Sequence, residues 1–459
     1  MDQKWAILVL IHAEDAKTKH FSNIFLNELL QTNDAAHLKI FILRNTYSYS
    51  ISKSMDAVLS ELVFDAGENE KKLNFIKDYG KINLGDSKQL SKIFDEVLMR
   101  TGKDYRFIVI TWDHGFSFGI FNGEIGANKV FSFEKNDTKS HVVITNIAGG
   151  VRALGAGNDK PENIIDAVIE ECTSAEKLTE DFIDFDRTVF KDFIASSTTD
   201  MLTPEEIATA IDASFAKKID ILIMMNCWMQ SIDTCYALEK SVDILVAATS
   251  TMDFIGYDYI DFINKICSNP EVTPSDLSNR IISKIEGKYI KLKTEIAFKE
   301  IAASAINLSS IKKLKAVIDI ISTSLDVVIK NNLVAVNKER IDSYEVTHEY
   351  LPTAGIFFYY VVDMSDVMTR LLSRHFISQK DVEKLNNWFS DFLIKNTIGD
   401  NFTNETQALG IYFPNNKEYV MQSTYYYEFY SPTGPKKNHK RFALESSWSA
   451  FIDKYNKGL

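Results

Sequence analysis

Short runs of apolar residues alternate along the first half of the chain with stretches in which apolar residues recur at helical spacing. The runs are rich in β-branched residues, as in strands buried on both faces of a parallel sheet. They lie at residues 5–12, 38–44, 107–111, 219–225 and 242–248. The amphipathic stretches lie at residues 15–32, 89–100, 205–215 and 231–240. This alternation predicts an α/β fold with a mostly parallel central sheet flanked by helices.

Residues 116–200 break this pattern. Phe116–Phe121 and Val130–Phe133 have the spacing of a hairpin, and four glycines follow between residues 149 and 157. These glycines do not join a strand to a helix, so we interpret them as a surface loop and not as a phosphate-binding loop. Residues 116–200 are therefore predicted to be an irregular insert.

The pattern changes again after residue 259. Residues 260–335 have helical spacing, residues 339–363 have the pattern of strand and turn, and a strand is expected at Leu409–Pro414. Helices are predicted at Met364–Arg374, Gln379–Lys395 and Arg441–Tyr455. We place a boundary near residue 265, with an α/β domain at 1–265 and a C-terminal helical and mixed domain at 266–459 packed on it.

Composition limits the compartment and the partners. The formal net charge is −12, which argues against nucleic acid as a partner. The cysteines are sparse and lack CxxC spacing, so reduced thiols are expected instead of a disulfide framework or a zinc site; they are Cys172, Cys227, Cys235 and Cys267. The first apolar run lacks the features of a signal peptide, and no run is long enough to span a membrane. The sequence therefore predicts a cytoplasmic protein.

Two apolar runs end in residues that can carry chemistry. The run at 219–225 leads into Asn226 and Cys227, and Arg106–Thr111 leads into His114 and Gly115. The carboxyl ends of parallel strands meet at one edge of a sheet, where α/β proteins place their ligands. Most lone cysteines are buried core residues, but a thiol and an imidazole at one sheet edge are the minimum for a cysteine nucleophile with a His partner.

This pair predicts a specific division of labour. Cys227 supplies the thiolate, and His114 acts as acid and base. The N–H groups of Gly115 and Cys227 are candidates for an oxyanion hole. Asp113 points away from His114 in an extended segment and is expected to hold the loop, whereas His12 is interpreted as a structural histidine. No metal-ligand spacing occurs among the remaining histidines, so no metal site is predicted.

These motifs together resemble the clostripain family of clan CD cysteine peptidases, which have a caspase-like fold. The resemblance is carried by Asp113-His114-Gly115, by Cys227 with its following helix, and by the glycine-aromatic loop Gly256–Tyr259. Further matches lie at Lys4–Val9, Val361–Met364 and Gly410–Pro414. The resemblance implies a cysteine endopeptidase that acts on protein or peptide substrates.

The family pattern maps its catalytic histidine to His114 and its nucleophile to Cys227. Its acidic residue in the pocket for a basic P1 side chain falls on Met225, which cannot pair with Arg or Lys. Asp253 or Asp258 could supply the charge from the following loop. The resemblance implies a substrate pocket formed by Met225, Asn226, Thr249, Ser250 and Asp253.

The resemblance also implies a zymogen that is cut within residues 116–200, with Arg152 as the candidate self-cleavage site. Some relatives need calcium, although the chain has no EF-hand-like run of ligands. A monomer is the expected state. Two alternatives stay open: a catalytically silent caspase-like scaffold that binds peptides, and an α/β hydrolase of small amides with the same Cys–His pair.

Overall fold

The computed structural model of the chain describes residues 3–13, 16–48, 53–54, 57–65, 70–113, 115, 119–124, 199–343, 361–414, 430 and 440–458. His114, Arg152 and Cys172 lie outside these residues, as does most of the predicted insert.

A ten-stranded sheet forms the centre of the protein. The strands are β1 (Trp5–Ala13), β2 (Leu38–Ser48), β3 (Lys53–Ser54), β4 (Val58–Asp65), β5 (Glu70–Asp78), β6 (Arg106–Trp112), β9 (Ile219–Met224), β10 (Val242–Ala248), β11 (Ala302–Asn307) and β13 (Leu393–Ile398). Their order in the sheet is β13-β11-β10-β9-β6-β1-β2-β4-β5, with β3 paired to β2. Strands β10, β9, β6, β1 and β2 are parallel to one another. The outer strands β11, β13, β4 and β5 each pair antiparallel with the neighbouring strand on their inner side.

Two small sheets lie apart from the central one. Strand β7 (Ile120–Glu124) pairs with β8 (Thr199–Leu202), and β12 (Val361–Asp363) pairs with β14 (Gly410–Tyr412). The described partner of β7 is therefore β8. The second half of the predicted hairpin, Val130–Phe133, lies outside the described residues.

The helices before residue 300 are α1 (Ala16–Leu30), α2 (Ser87–Thr101), α3 (Pro204–Ser214), α4 (Ile232–Leu238), α5 (Tyr259–Ser268), α6 (Pro274–Ser283), α7 (Ile285–Lys291) and α8 (Glu295–Phe298). The later helices are α9 (Ile311–Asp342), α10 (Met364–Ser373), α11 (Gln379–Phe392), α12 (Arg441–Glu445) and α13 (Trp448–Gly458). Among the described residues, no helix is long and apolar enough to cross a membrane.

The five parallel strands follow directly from the apolar runs. Every residue of β1 is buried, and the runs of β6, β9 and β10 are buried almost throughout. Helices cover both faces of such a sheet, so its residues need no polar face. The predicted α/β class is confirmed. The sheet is mixed, because its five central strands are parallel and its outer strands pair antiparallel with their neighbours.

The C-terminal half contributes to the same sheet. Strand β11 pairs antiparallel with β10, and β13 pairs with β11. The helical interpretation of residues 260–335 was therefore wrong at β11, and the helix predicted at Gln379–Lys395 ends at Phe392 where β13 begins. The boundary near residue 265 falls inside α5, and the division into domains 1–265 and 266–459 stays a prediction.

The register of the sheet sets the position of the site. Thr111 at the end of β6 pairs with Met224 at the end of β9, and Ile11 of β1 pairs with Trp112. The chain segments that follow these three strands therefore leave the sheet side by side. This is the carboxyl edge that the sequence predicted for the Cys- and His-bearing segments.

Candidate active site

Cys227 lies three residues beyond Met224, the last paired residue of β9, and is 6% exposed. Its sulfur accepts a hydrogen bond from the backbone N–H of Met252, with an N···S distance of 3.3 Å. Its thiol also lies 3.5 Å from the carbonyl oxygen of Met252. A backbone N–H aimed at sulfur stabilises negative charge there, which suits a nucleophilic thiolate.

The residue after Cys227 makes a sharp turn. Trp228 has φ of 61°, in the left-handed region that non-glycine residues rarely adopt. The turn is held from β10, because Trp228 N–H bonds to the Ser250 carbonyl at 3.0 Å and Gln230 N–H to the Ala248 carbonyl at 2.9 Å. A bulky residue in this conformation costs about 1–3 kcal/mol and marks a position that the surrounding structure enforces.

Gly115 lies directly against Cys227. A Cβ atom at Gly115 would be 2.3 Å from the carbonyl oxygen of Cys227 and 2.8 Å from its nitrogen. It would also be 2.8 Å from the Cβ of Asn226. No side chain fits in this space, so the glycine is required for the close approach of the two backbone segments.

Asn226 links the ends of β6 and β9. It is fully buried, and its side-chain amide donates to the backbone carbonyl of Asp113 at 3.0 Å. Its carbonyl oxygen accepts from the hydroxyl of Thr111 at 2.5 Å, and the backbone N–H of Met225 donates to the carbonyl of Thr111 at 2.9 Å. One side chain therefore joins the segment that ends in Cys227 to the residues on both sides of Trp112.

His12 and Asp113 form a buried pair beside this link. His12 Nδ1 and Asp113 Oδ2 are 2.7 Å apart, and the two residues are 2% and 5% exposed. The carboxylate of Asp113 is therefore directed to the end of β1. This agrees with the expected role of Asp113 in holding its loop and with a structural role for His12.

Met225, predicted as a pocket residue, is 1% exposed. It lies under Gly256, whose φ is 61° and whose Cα is so close that an added Cβ would meet Met225 Cγ at 2.9 Å. The hydroxyl of Tyr257 donates to the carbonyl of Met224 at 3.3 Å, and burial raises the pKa of Tyr257. The loop after β10 is thus packed tightly on the two residues that precede Asn226.

Thr249 and Ser250 are buried and join β10 to β11. Thr249 donates to the Ala302 carbonyl from its N–H at 2.8 Å and from its hydroxyl at 3.1 Å. Ser250 Oγ accepts from Ala302 N–H at 2.8 Å. Asp253 is partly exposed, and one of its carboxylate oxygens accepts from Ile255 N–H at 2.8 Å. The role of these residues in a substrate pocket stays a prediction.

The C-terminal region contacts the segment just after Cys227. Gly410 N–H donates to the Gln230 carbonyl at 2.9 Å, and Gly410 forms a parallel bridge with Ser231. The buried amide of Gln230 donates to Ser304 Oγ at 2.9 Å, and Ser304 Oγ donates to the Ala408 carbonyl at 2.7 Å. The chain after Cys227, at Gln230 and Ser231, is therefore bonded to residues of β11 and β14, and through Ser304 to the loop before β14.

The other cysteines among the described residues are Cys235 and Cys267. Burial is the main cause that raises the pKa of Cys235, which lies on α4, and of Cys267, whose thiol donates to the Asn33 carbonyl at 3.3 Å. A raised pKa lowers the thiolate fraction and therefore the reactivity. Both agree with the prediction of packed structural residues.

Within the described residues, no group of three or more His, Cys, Asp or Glu side chains is placed to hold a metal ion. The calcium requirement that the family resemblance implies stays a prediction.

Sequence reasoning missed three features of this site. They are the buried link through Asn226, the left-handed turn at Trp228 and the contacts of Lys288 with the loop after β10. Asn226 was assigned only to the pocket, and nothing in the sequence marks Trp228 for positive φ. Lys288 lies in a Lys-rich helical stretch that shows no sign of burial.

Comparison with known proteins gives the fold and the family. An inactive zymogen C11 protease from Parabacteroides distasonis is similar, with a TM-score of 0.57 and 10% identity over 93% of this chain and 98% of that one. A secreted C11 cysteine protease from Bacteroides thetaiotaomicron has a TM-score of 0.56 and 12% identity, over 97% of this chain and 99% of that one. A structure of a secreted C11 cysteine protease from the same organism, in complex with an irreversible peptide inhibitor, has a TM-score of 0.54 and 14% identity. The match covers 93% of this chain and 97% of that one. No curated protein matches the chain.

The shared fold is that of C11 cysteine proteases, in agreement with a thiol at the carboxyl edge of the sheet. The chain belongs to the clostripain family, whose model matches residues 187–455, more than half of its length. The predicted family and fold are confirmed, and the protein is a cysteine peptidase. The matched range includes Cys227 and begins after the segment of His114, and the roles of these two residues stay predictions.

Proposed function

We propose that the protein hydrolyses peptide bonds with Cys227 as nucleophile and His114 as its acid and base. The observation that supports this most directly is the close approach of Gly115 to the backbone of Cys227. His114 lies outside the described residues but precedes Gly115 in the chain, and consecutive Cα atoms are about 3.8 Å apart. The imidazole and the thiol are therefore expected within reach of each other.

The reaction follows from these groups. The thiolate of Cys227 adds to the carbonyl carbon of the scissile bond, and the N–H groups of Gly115 and Cys227 stabilise the oxyanion. The C–N bond breaks as His114 gives its proton to the leaving amine, which leaves a thioester on Cys227. Water, deprotonated by His114, then hydrolyses the thioester and releases the acid product and the free thiol.

The P1 preference depends on Met225. The family resemblance places a carboxylate at this position, and the buried Met225 supplies none. A basic P1 side chain would then need Asp253, which is partly exposed on the loop that covers Met225, or Asp258, whose carboxylate accepts from Asp261 N–H at 3.0 Å. We expect peptides with an uncharged P1 residue to be cleaved at least as well as those with Arg or Lys.

The test compares the wild type with Cys227→Ala, His114→Ala and the matched control Cys267→Ala. Substrates are fluorogenic peptides that differ only at P1, and intact mass is recorded in parallel. Turnover by the wild type and Cys267→Ala, lost in the other two variants, is the expected result. Equal turnover by Cys227→Ala would overturn the proposal.

The same experiment addresses activation. The Parabacteroides distasonis relative is described as a zymogen, and Arg152 in the predicted insert is the site we propose for self-cleavage if the pocket accepts a basic P1 residue. A mass decrease that appears in the wild type and not in Cys227→Ala or Arg152→Ala would locate the cut. Cleavage elsewhere would assign the activation site to another residue.

A second candidate function is a silent caspase-like scaffold that binds peptides, favoured by the uncharged Met225. It predicts no turnover and no reaction of Cys227 with peptide electrophiles. Cytoplasmic location and a monomeric state are also proposals, tested by cell fractionation and by light scattering of the purified protein.

A further inference from the structure

Lys288 on α7 is a buried cation, with 7% of its side chain exposed. Its ammonium group lies 2.8 Å and 2.9 Å from the two carboxylate oxygens of Glu28 on α1. It also donates to the backbone carbonyls of Ile255 at 2.7 Å and Tyr257 at 2.9 Å. Burying an ammonium group is costly unless it is paired and its N–H groups are bonded. The bonds to Glu28, Ile255 and Tyr257 meet this requirement and fix the position of the ammonium group.

The two carbonyls that Lys288 binds flank Gly256. The left-handed turn at Gly256 brings its backbone against Met225, with no room for a side chain between them. Met225 lies two residues before Cys227 in the chain. Lys288 therefore holds both sides of the turn that covers Met225, which is predicted to line the pocket for the P1 side chain.

The loop at residues 252–257 reaches from Cys227 to Lys288. At its start, Met252 N–H bonds to the sulfur of Cys227. In its middle, Phe254 stacks on Phe21 of α1 with centroids 5.0 Å apart and packs on Trp112 at 5.4 Å. Aromatic packing holds the middle of the loop, while Lys288 and Glu28 hold the end beside Gly256.

We propose that Lys288, together with Glu28, is a positioning residue that sets substrate specificity by fixing the loop 252–257 against Met225. This inference rests on the proposed peptidase function. It assigns part of the specificity to α7, beyond the predicted domain boundary near residue 265, and it concerns the wall of the substrate pocket and not the bond-making atoms.

The test uses variants that avoid an unpaired buried charge. Lys288→Met alone would leave the Glu28 carboxylate without its cation, so the principal variant is Lys288→Met with Glu28→Gln. Lys288→Arg keeps the charge and the donors. The matched control is Lys284→Met, one helical turn earlier and exposed.

Three readouts separate positioning from a general loss of structure. In the double variant we expect about tenfold faster amide hydrogen exchange in residues 255–257, the end of the loop that Lys288 holds. We expect a rise in KM of about tenfold for the preferred P1 peptide, a changed P1 ranking and a kcat within about twofold. The rate of Cys227 alkylation by iodoacetamide should stay within about twofold of wild type. In Lys288→Arg, which keeps the charge and the donors, KM should stay close to the wild-type value.

Unchanged loop exchange and an unchanged P1 ranking in the double variant, as in Lys284→Met, would overturn the inference. Failure of the proposed function is recognised separately, because it silences the wild type and every variant alike. Loop exchange would in that case still decide whether Lys288 anchors the segment.

Discussion

The side-chain amide of Asn226 donates a hydrogen bond to the backbone carbonyl of Asp113, with an N···O distance of 3.0 Å. Asn226 precedes the proposed nucleophile, and Asp113 precedes the proposed base. The bond therefore connects the two chain segments that must stay in register for catalysis, and it does so within the buried core.

Asn226→Ala should lower the free energy of unfolding by about 1–3 kcal/mol, because it removes the donor from the buried carbonyl of Asp113. We expect kcat/KM to fall by about 100-fold, since small displacements between reacting groups are costly. Asn226→Asp should be worse at neutral pH because a carboxylate cannot donate to that carbonyl. Thr111→Val is the control that removes the other bond, and a loss of activity equal to that of Asn226→Ala would contradict the prediction. Denaturant unfolding and peptide kinetics measure both quantities.

Gly115→Ala should be strongly impaired, because the new methyl group would collide with the backbone of Cys227. We expect a loss of about 1–3 kcal/mol in stability from the forced separation and a fall in kcat/KM of at least about 100-fold. The matched control is Gly287→Ala in α7, where a Cβ meets nothing within 4 Å. That change should stabilise the protein by up to about 1 kcal/mol. Equal behaviour of the two variants in thermal unfolding and kinetics would refute the collision.

His12→Phe keeps a ring at the end of β1 but removes the hydrogen bond to the buried carboxylate of Asp113. We expect a loss of about 3 kcal/mol, typical of breaking one side of a buried pair. Asp113→Asn in the same background should recover part of it. A double-mutant cycle by urea unfolding measures the coupling, and strictly additive effects would show that the pair contributes nothing.

Stability should depend on pH through Asp233 on α4. Both carboxylate oxygens lie 2.6 Å from the hydroxyl of Tyr430, and burial raises the pKa of Asp233 from 3.8 to about 6, although Tyr430 and Lys440 oppose the shift. A raised pKa means that the folded state holds the proton more tightly than the unfolded state. The stabilisation is therefore complete below about pH 4 and is lost as the pH rises to about 6.

Asp233→Asn should remove this dependence. Between about pH 4 and about pH 7 the wild type should lose up to about 3 kcal/mol relative to the variant. Tyr430→Phe should extend the loss to higher pH, because it removes a hydrogen bond that lowers the pKa. Urea unfolding across this pH range measures the slopes, and parallel curves for the wild type and Asp233→Asn would exclude Asp233 as the titrating group.

Met225→Asp should shift specificity toward basic P1 residues. The variant places a carboxylate where the family resemblance expects one, and we predict an increase of about tenfold in the ratio of kcat/KM for Arg over Leu at P1. Met225→Asn, of similar size to Asp but uncharged, is the control. An unchanged ratio in Met225→Asp would show that this side chain does not face the P1 residue.

The sequence predicted the parallel strands well, because β1, β6, β9 and β10 are buried on both faces and so form unbroken apolar runs. It did not predict β11, whose residues Ala302–Asn307 are mostly small and suit a helix as well as a strand. Pairing with β10 decides its conformation. Strand β5 was also missed, since it lies at the sheet edge and is largely exposed, without an apolar run.

Some features of the site were likewise predictable from the sequence, and others were not. The meeting of the Cys227 and Gly115 segments follows from the topology of a parallel sheet, and it was predicted. The contacts of Asn226 with Asp113 and of Lys288 with Ile255 join residues distant in the chain. Local patterns carry no signal for such contacts, because they depend on how the helices and loops finally pack.

The bond between Gly410 and Gln230 has a consequence for the timing of synthesis. A ribosome makes the segment around Cys227 long before it makes residues 408–410, which support that segment in the folded protein. We expect the turn after Cys227 to stay incomplete in the nascent chain until residues 408–410 have emerged from the ribosome. We therefore expect a peptidase built in this order to gain activity only after these residues have been made and folded.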